Sequence, residues 1–457
     1  MSRSVHIEAM GQLTVLHFSL IAGVLITALL IGHLLRQRRS PAATLGWIIF
    51  MVSAPWLAVP VYLTLGTRKL ATLPQPALHP FPTEAGTPLA RLLASAGVPP
   101  PRSGNQISWH HDGDAAWDEL IAVVDGSTRT LDVALFLLRD DARGSRFMEQ
   151  LATRAEAGVR VRLLIDGIGS LLLARHGLRR LRAAGVEVAW FIPLLHRPLR
   201  GRTNLRNHRK LVIADHARAW TGGRNVADEY FAADSEWIDL SFGVAGPAVA
   251  DMAQVFAADW AFARKQTPET DDHMPAAVGM STVQVIPSGP TLARDTLHEL
   301  MLTACYSAQH RIWIATPYFV PDEALQQALV LAARRGVEVR LLLPRQSNHR
   351  LADLARARYL RELEAAGAII KVIPHAMLHA KALLADDLAL AGSANVDLRS
   401  LFLNFELVCL FLSTSDSEAL ASWLSRLDAM SDEYVSPPDR WGRGLLEGLV
   451  LLAAFQI

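Results

Sequence analysis

Two short arrays in this chain combine residue types suited to chemistry at phosphorus. His208-Arg209-Lys210 is followed, after four residues, by Asp215 and then by Gly222-Gly223-Arg224-Asn225. His379-Ala380-Lys381 is followed, after four residues, by Asp386 and then by Gly392-Ser393-Ala394-Asn395. Transfer of a phosphodiester through a covalent intermediate needs one group to attack phosphorus and another to move the proton of the leaving and entering oxygens. Two imidazoles meet that need. A lysine beside each supplies a compact positive charge for phosphate oxygens. Of the five lysines in the chain, two are Lys210 and Lys381, so the pairing of His with Lys is unlikely to arise by chance twice.

The spacing requires a hairpin in each array. The apolar runs Leu211–Ala214 and Ala382–Ala385 are each followed by an acidic turn and a second short apolar stretch that ends in glycine. Along a strand, side chains two apart share a face, so His208 and Lys210 point the same way, as do His379 and Lys381. The returning strand brings Gly223 and Asn225 beside the first pair, and Ser393 and Asn395 beside the second. Asp215 and Asp386 complete the arrays but sit at the turn ends, away from the histidines. They read as structural ties made through backbone bonds. The second array has one residue fewer between its aspartate and its glycine, which either shortens the turn or slips the register and turns side chains to the other face.

These arrays must be held by a larger framework. The 457-residue chain is long enough for more than one domain, is 51% hydrophobic and carries a net charge of +1. No strong positive field favours nucleic acid. Cys305 and Cys409 lie in apolar stretches and read as buried thiols; no zinc-type spacing occurs. Leu13 to Leu35 is almost wholly apolar and long enough for a bilayer, which takes about 20 residues. Thr44 to Gly66 is a second apolar stretch, with Pro55 and Pro60 as expected kinks. The expectation is a two-span anchor over residues 1–69, a proline-rich linker over 70–106 with one short helix near Leu89–Ala96, and a first catalytic half over 107–265. A linker over 266–282, a second half over 283–440 and an apolar C-terminal segment over 441–457, suited to a membrane surface, complete the order. The cationic residues leave sidedness open. Helices and strands alternate in the same order in both halves, and each half contains Gly-Val-x-Val-Arg-Leu-Leu, at Gly158–Leu164 and Gly336–Leu342. This internal repeat implies a duplicated α/β sandwich.

On these residues the chain resembles the phospholipase D superfamily, defined by the doubled His-Lys-Asp array. The match narrows to the two-motif bacterial cardiolipin synthases through Arg39–Leu45, Glu229-Tyr230, Ser288-Gly289-Pro290, Thr316–Pro321, Asn395–Ser400 and Asn404-Phe405-Glu406. The resemblance implies two pseudo-symmetric halves that share one cleft, preceded by two transmembrane helices in a bacterial inner membrane. It implies transfer of a phosphatidyl group from one phosphatidylglycerol to another with release of glycerol, and no metal or organic cofactor. It also implies His208 as nucleophile and His379 as acid/base, with Lys210, Lys381, Asn225, Asn395, Gly223 and Ser393 around the phosphate. Asp239 and Glu406 lie at comparable distances after the two histidines and are the candidates for orienting the imidazoles, by the logic of a carboxylate on the far ring nitrogen. Arg197, Arg200, Arg202 and Arg206 precede the first array and suit lipid headgroups. The alternatives are a phospholipase that uses water, a nuclease of the superfamily, or an inactive membrane scaffold.

Overall fold

The computed structural model describes residues 2–37, 41–70, 86–173, 175–193, 202–231, 237–269, 273–438 and 441–451. Expectations for Arg38 and Arg39, for the proline-rich residues 71–85, for Arg197 and Arg200 and for residues 452–457 lie outside them. The chain divides into two compact units: Met1–Leu70 with Leu195–Leu205, and the rest.

In the first unit, helix α1 (Ser2–Leu35) contains one stretch, His17–Leu35, long and apolar enough to cross a bilayer. The expected second span is not one helix. It breaks into α2 (Pro41–Ser53) and α3 (Pro55–Leu65), of 13 and 11 residues, each shorter than a bilayer needs. The break is local chemistry. Ala54 precedes a proline, which disfavours helical backbone at that residue, and it takes φ −143° and ψ 63°. The pieces pack through Leu34, Met51, Ala58 and Tyr62, and the Tyr62 hydroxyl lies 2.8 Å from His33 Nδ1.

The second unit begins with α4 (Pro88–Ser95), close to the one helix expected in the linker. Its first half contains β1 (Arg102–His110), α5 (Gly113–Asp125), β2 (Thr130–Leu135), α6 (Ala142–Glu156), β3 (Arg160–Asp166), α7 (Arg175–Ala183), β4 (Glu187–Phe191), β5 (Leu211–Ala214), β6 (Arg218–Gly222), β7 (Trp237–Ile238), β8 (Ser241–Ala245) and α8 (Ala248–Arg264). The second half contains β9 (Ser281–Ser288), α9 (Thr296–Ser307), β10 (Arg311–Ala315), β11 (Phe319–Val320), α10 (Glu323–Arg334), β12 (Glu338–Pro344), α11 (Arg350–Ala365), β13 (Ile369–Ile373), β14 (Met377–Leu378), β15 (Ala382–Ala385), β16 (Leu388–Gly392), β17 (Val396–Asp397), α12 (Leu398–Phe402), β18 (Glu406–Phe411), α13 (Thr414–Ala429), β19 (Asp432–Glu433) and α14 (Trp441–Leu451).

One 15-stranded sheet runs through both halves, in the order β19-β13-β12-β10-β15-β16-β18-β9-β1-β8-β6-β5-β2-β3-β4. From the central antiparallel pair β1/β9 outward, the two sides read the same: β1-β8-β6-β5-β2-β3-β4 on one, β9-β18-β16-β15-β10-β12-β13 on the other. The repeated Gly-Val-x-Val-Arg-Leu-Leu supplies β3 and β12, matched positions in this order. Alternate side chains of each parallel trio face a helical layer. Val133, Leu163 and Phe147 share one core, and Ile314, Leu341 and Leu329 share the other. On the opposite face of the first half, Phe256 and Trp260 of α8 lie under the Arg162 guanidinium, which is paired at 2.6 Å with buried Asp132.

Several elements were not anticipated. β1 and β9 stand at the centre of the sheet, where linkers were expected to end, because Arg102–His110 carries few apolar side chains. β8, β18, α8 and α13 also lay in segments to which no element was assigned. α14 occupies the expected apolar C-terminal segment. Its Glu447 bonds Arg361 of α11 and Arg443, while Leu445, Leu446 and Leu449 stay about half exposed.

Asp215 and Asp386 are ties, and they tie the hairpin to its neighbour strand. Asp215 accepts from the backbone N–H groups of Thr128, Arg129 and Thr130 at 2.8, 2.6 and 2.8 Å. Asp386 accepts from those of Gln309, His310 and Arg311 at 2.8–3.0 Å. Both take positive φ, 53° and 50°, a region that aspartate visits more readily than most residues. Burial tends to raise both carboxyls, but the backbone donors outweigh it and both lie below the ordinary value. A depressed carboxyl stabilises the fold above its ordinary pKa and loses that contribution as pH falls through the folded value. Asp215→Ala and Asp386→Ala should therefore each cost about 1–2 kcal/mol at neutral pH, measured by denaturant unfolding. The deficit should shrink below pH 4, and kcat should change little.

Candidate active site

The two hairpins present their histidine–lysine pairs in matched register. In the first, Ala214 faces Arg218 across a three-residue turn, and in the second Ala385 faces Leu388 across two residues. The missing residue is thus removed from the turn alone. Thr221 pairs with Leu211 and Ala391 with Ala382, so Gly222 and Gly392 fall beside Lys210 and Lys381 in equivalent places. The register survives, and no side chain changes face.

The histidines are completed crosswise. His208 Nδ1 lies 3.1 Å from both carboxylate oxygens of Glu406, in the second half. His379 Nδ1 lies 2.7 Å from Asp239 Oδ2, in the first half. Backbone pairing makes the exchange. The His208 N–H donates to Phe405 O at 2.9 Å and the His379 N–H to Ile238 O at 2.7 Å. Each acceptor is the residue just before the orienting carboxylate. The strands agree: β14 pairs in parallel with β7, and Asn207 forms a parallel bridge with Phe405. The two carboxylates anticipated from sequence are therefore both present at the histidines, but each serves the histidine of the other half.

Further contacts fix the rings. Ser393 Oγ donates to Glu406 Oε2 at 2.5 Å and Asn404 Nδ2 to Oε1 at 3.3 Å. Phe136 meets His208 edge-on at 4.8 Å and also underlies the Lys210 ammonium at 5.3 Å. Tyr230 and Trp237 lie 5.2 and 5.3 Å from the His379 ring. Lys210 Nζ donates to His208 O at 2.7 Å, and Lys381 Nζ lies against the His379 ring and carbonyl. Arg209, between the first histidine and lysine, is structural: it bonds Asp259 at 2.5 Å, Glu406 O at 3.0 Å and Ser288 O at 3.0 Å.

Two residues expected around the phosphate, Gly223 and Ser393, lie against the orienting carboxylates. A Cβ on residue 223 would stand 2.1 Å from Asp239 Oδ1, so glycine there makes room for the carboxylate. Ser393 spends its hydroxyl on Glu406. Their backbone N–H groups go to Leu240 O and Leu407 O, both at 2.9 Å. Asn225 and Asn395 are buried, each with an Oδ1 that has no hydrogen-bond partner among the described residues. Asn225 Nδ2 stands 2.7 Å from the Tyr230 hydroxyl. Amide orientation is an assignment; with the amide turned over, Tyr230 donates to the oxygen and the NH₂ group becomes available to an anion. Tyr230 belongs to the Glu229-Tyr230 motif that carries the family resemblance, whereas no sequence signal points to Phe136. Of the other aromatics, Phe319 is core, and the Tyr318 hydroxyl bonds Asn348 at 2.5 Å.

The site is dry and internally balanced. His208, Lys210, His379, Lys381, Asp239 and Glu406 are all less than a tenth exposed. Burial, opposed by Glu406, holds the His208 imidazole below its usual value. Burial and Lys381 hold His379 down as well, to about 3, so the rings rest neutral against anionic carboxylates. Burial would raise Asp239 and Glu406, but the facing histidines and lysines outweigh it; Asp239 falls to about 2. Lys381 acts on His208, and Lys210 acts on His379, so the two arrays share one electrostatic centre. Burial lowers Lys210 well below the ordinary lysine value and brings Lys381 down to about 8.

That last value gives a pH expectation. Lys381 loses its charge as pH rises through about 8, so kcat/KM, which reports the free enzyme, should fall above that point. The acid limb should lie below pH 6.5, because His208 stays neutral there. A kcat/KM profile flat to pH 9.5 would remove the role for Lys381.

A family model described as "Cardiolipin synthase, PLD-like domain" matches residues 120–260 and 301–427. The chain is 31% identical over 420 residues to a cardiolipin synthase A of Pseudomonas entomophila (strain L48), with 86% of this chain and 87% of the relative covered. It is 32% identical over 409 residues to a cardiolipin synthase of Geobacillus kaustophilus (strain HTA426), with 83% and 81% covered. Among solved structures, a phosphatidylserine synthase of Haemophilus influenzae Rd KW20 shares the fold at TM-score 0.61 and 14% identity, over 81% of this chain and 99% of that one. The chain belongs to the cardiolipin synthases of the phospholipase D superfamily. It is an enzyme of phospholipid phosphatidyl transfer.

Proposed function

We propose that the enzyme condenses two molecules of phosphatidylglycerol into cardiolipin and glycerol through a phosphohistidine. The observation that carries this reading is the crossed pair of histidine–carboxylate dyads beside two buried lysines. A carboxylate on Nδ1 fixes the tautomer that leaves the Nε2 lone pair available. His208 Nε2 attacks phosphorus, the P–N bond forms and the P–O bond to the terminal glycerol breaks. His379 gives its proton to that glycerol oxygen. It then takes the proton of the acceptor's glycerol hydroxyl as that oxygen attacks phosphorus, and the P–N bond breaks. The shorter 2.7 Å contact supports His379 as the ring that carries positive charge in turn, since charge-assisted bonds are the short, strong ones. An arriving phosphodiester adds a negative charge and favours protonation of both His379 and Lys381. The lysines, with Asn225 and Asn395, hold the non-bridging oxygens as charge develops. No step calls for a metal or organic cofactor.

The His17–Leu35 stretch, long and apolar enough to cross a bilayer, supports a single-span location at the bacterial cell membrane, where the lipid substrates are. The near-neutral net charge suits lipid better than nucleic acid. The test is to incubate the full chain with phosphatidylglycerol, labelled in its phosphate, in detergent micelles and to separate the products. Cardiolipin with released glycerol is expected. Phosphatidic acid alone would replace the synthase reading with hydrolysis.

A further inference from the structure

We propose that Arg206 forms a second phosphate subsite that holds the phosphodiester of the acceptor lipid. The inference rests on the condensation proposed above, which must seat two phospholipids, whereas the two lysines account for the phosphate of one.

Arg206 lies two residues before His208 on an extended segment, so their side chains share a face. Asn207 between them turns away and donates to Asp259 of α8 at 2.8 Å. The Arg206 side chain is 3% exposed. Its Nη1 reaches Asp166 Oδ1 at 3.2 Å and Ile192 O at 3.1 Å. Its Nε and Nη2 are buried and have no hydrogen-bond partner among the described residues. A guanidinium carries five donors in a fixed fork that matches two oxygens of a phosphate. Leaving two of its nitrogens dry is costly, and an anion would relieve that cost.

The backbone holds Arg206 beside the His208–Glu406 dyad: the Phe405 N–H donates to Arg206 O at 2.8 Å. Asp166, which anchors Arg206, also accepts from Ile168, Gly169 and Asn207 at 2.9–3.0 Å, so the anchor is rigid. Its charge is felt by Lys210. The ends of β3 and β4 flank the group, the usual place for ligands of parallel sheets.

The asymmetry is informative. The hairpins repeat the histidine and lysine, but the residue two before His379 is Met377. A pseudo-symmetric centre that must tell two like lipids apart thus carries one extra cation, on the His208 side only.

The test compares two acceptors for the same covalent intermediate: a second phosphatidylglycerol, which brings a phosphate, and labelled glycerol, which does not and regenerates labelled phosphatidylglycerol. In Arg206→Gln the ratio of cardiolipin formed to glycerol exchanged should fall at least about tenfold, the size of one lost charge-assisted contact. Arg206→Lys should restore part of the ratio. A ratio that does not move, or two rates that fall together, would overturn the subsite in favour of a merely structural arginine. Inorganic phosphate, competing for the fork, should lower the native ratio and leave the Arg206→Gln ratio alone; an equal fall in both would overturn the subsite. A native chain that exchanges glycerol but makes no cardiolipin would fail the condensation reading itself, a result separable from failure of the subsite because it precedes any variant.

Discussion

His208→Gln is expected to abolish both cardiolipin formation and glycerol exchange, whereas His379→Gln is expected to stall with lipid on the protein. Without His208 no P–N bond forms, and loss of a nucleophile costs about 10⁴-fold or more in kcat. Without His379 the leaving glycerol lacks a proton donor and the acceptor lacks a base, a loss of about 10²–10⁴-fold. Attack through an intact His208 can still occur slowly, but discharge is slowed as well. With phosphatidylglycerol labelled in its phosphate, rapid quenching at alkaline pH should find label on His379→Gln and none on His208→Gln. The reverse pattern would exchange the two roles. Label on neither, from a variant series that folds, would rule out the covalent route.

The second large effect comes from the crossing of the dyads. Glu406→Gln removes the acceptor that fixes the His208 tautomer, and Asp239→Asn does the same to His379. Each should lower kcat by about 10³–10⁴-fold, on the scale seen when a triad carboxylate becomes an amide. The pairing can be read by double-mutant cycles, which isolate coupling between groups that act together. His208→Gln with Glu406→Gln should be little worse than His208→Gln alone, as should His379→Gln with Asp239→Asn. The label readout should follow the same crossing, with Glu406→Gln behaving like His208→Gln. If Asp239→Asn instead blocks formation of the intermediate, the carboxylates act within their own halves and the crossed geometry does not describe the working enzyme.

The local parts of this site were legible in the sequence, and the long-range parts were not. Leu211–Ala214 and Ala382–Ala385 are the strands expected, because an apolar run before an acidic turn is a signal contained in a few residues. Asp239 and Glu406 were found by their spacing after the histidines, yet spacing pointed inward, to each half. Glu406 is 198 residues from His208 and Asp239 is 140 from His379. Only the interlocking backbone bonds at Phe405 and Ile238 bring them together, and nothing in local composition encodes those bonds. Gly223 and Ser393 are expected around the phosphate by resemblance alone; in the structure Gly223 leaves room for Asp239, and the Ser393 hydroxyl donates to Glu406. The break at Pro55 was visible as a kink, but apolarity alone counted Thr44–Gly66 as one span. β1 escaped notice because a polar strand at the junction of two halves has no simple alternation.

The interlocked dyads also bear on synthesis. The ribosome delivers His208 long before Glu406, so the leading half emerges with an imidazole whose tautomer nothing holds. A chain interrupted before β18 lacks Glu406, so its His208 ring has no carboxylate partner. On the proposed roles, the attacking group is completed only when the second repeat has been made and has docked on the first.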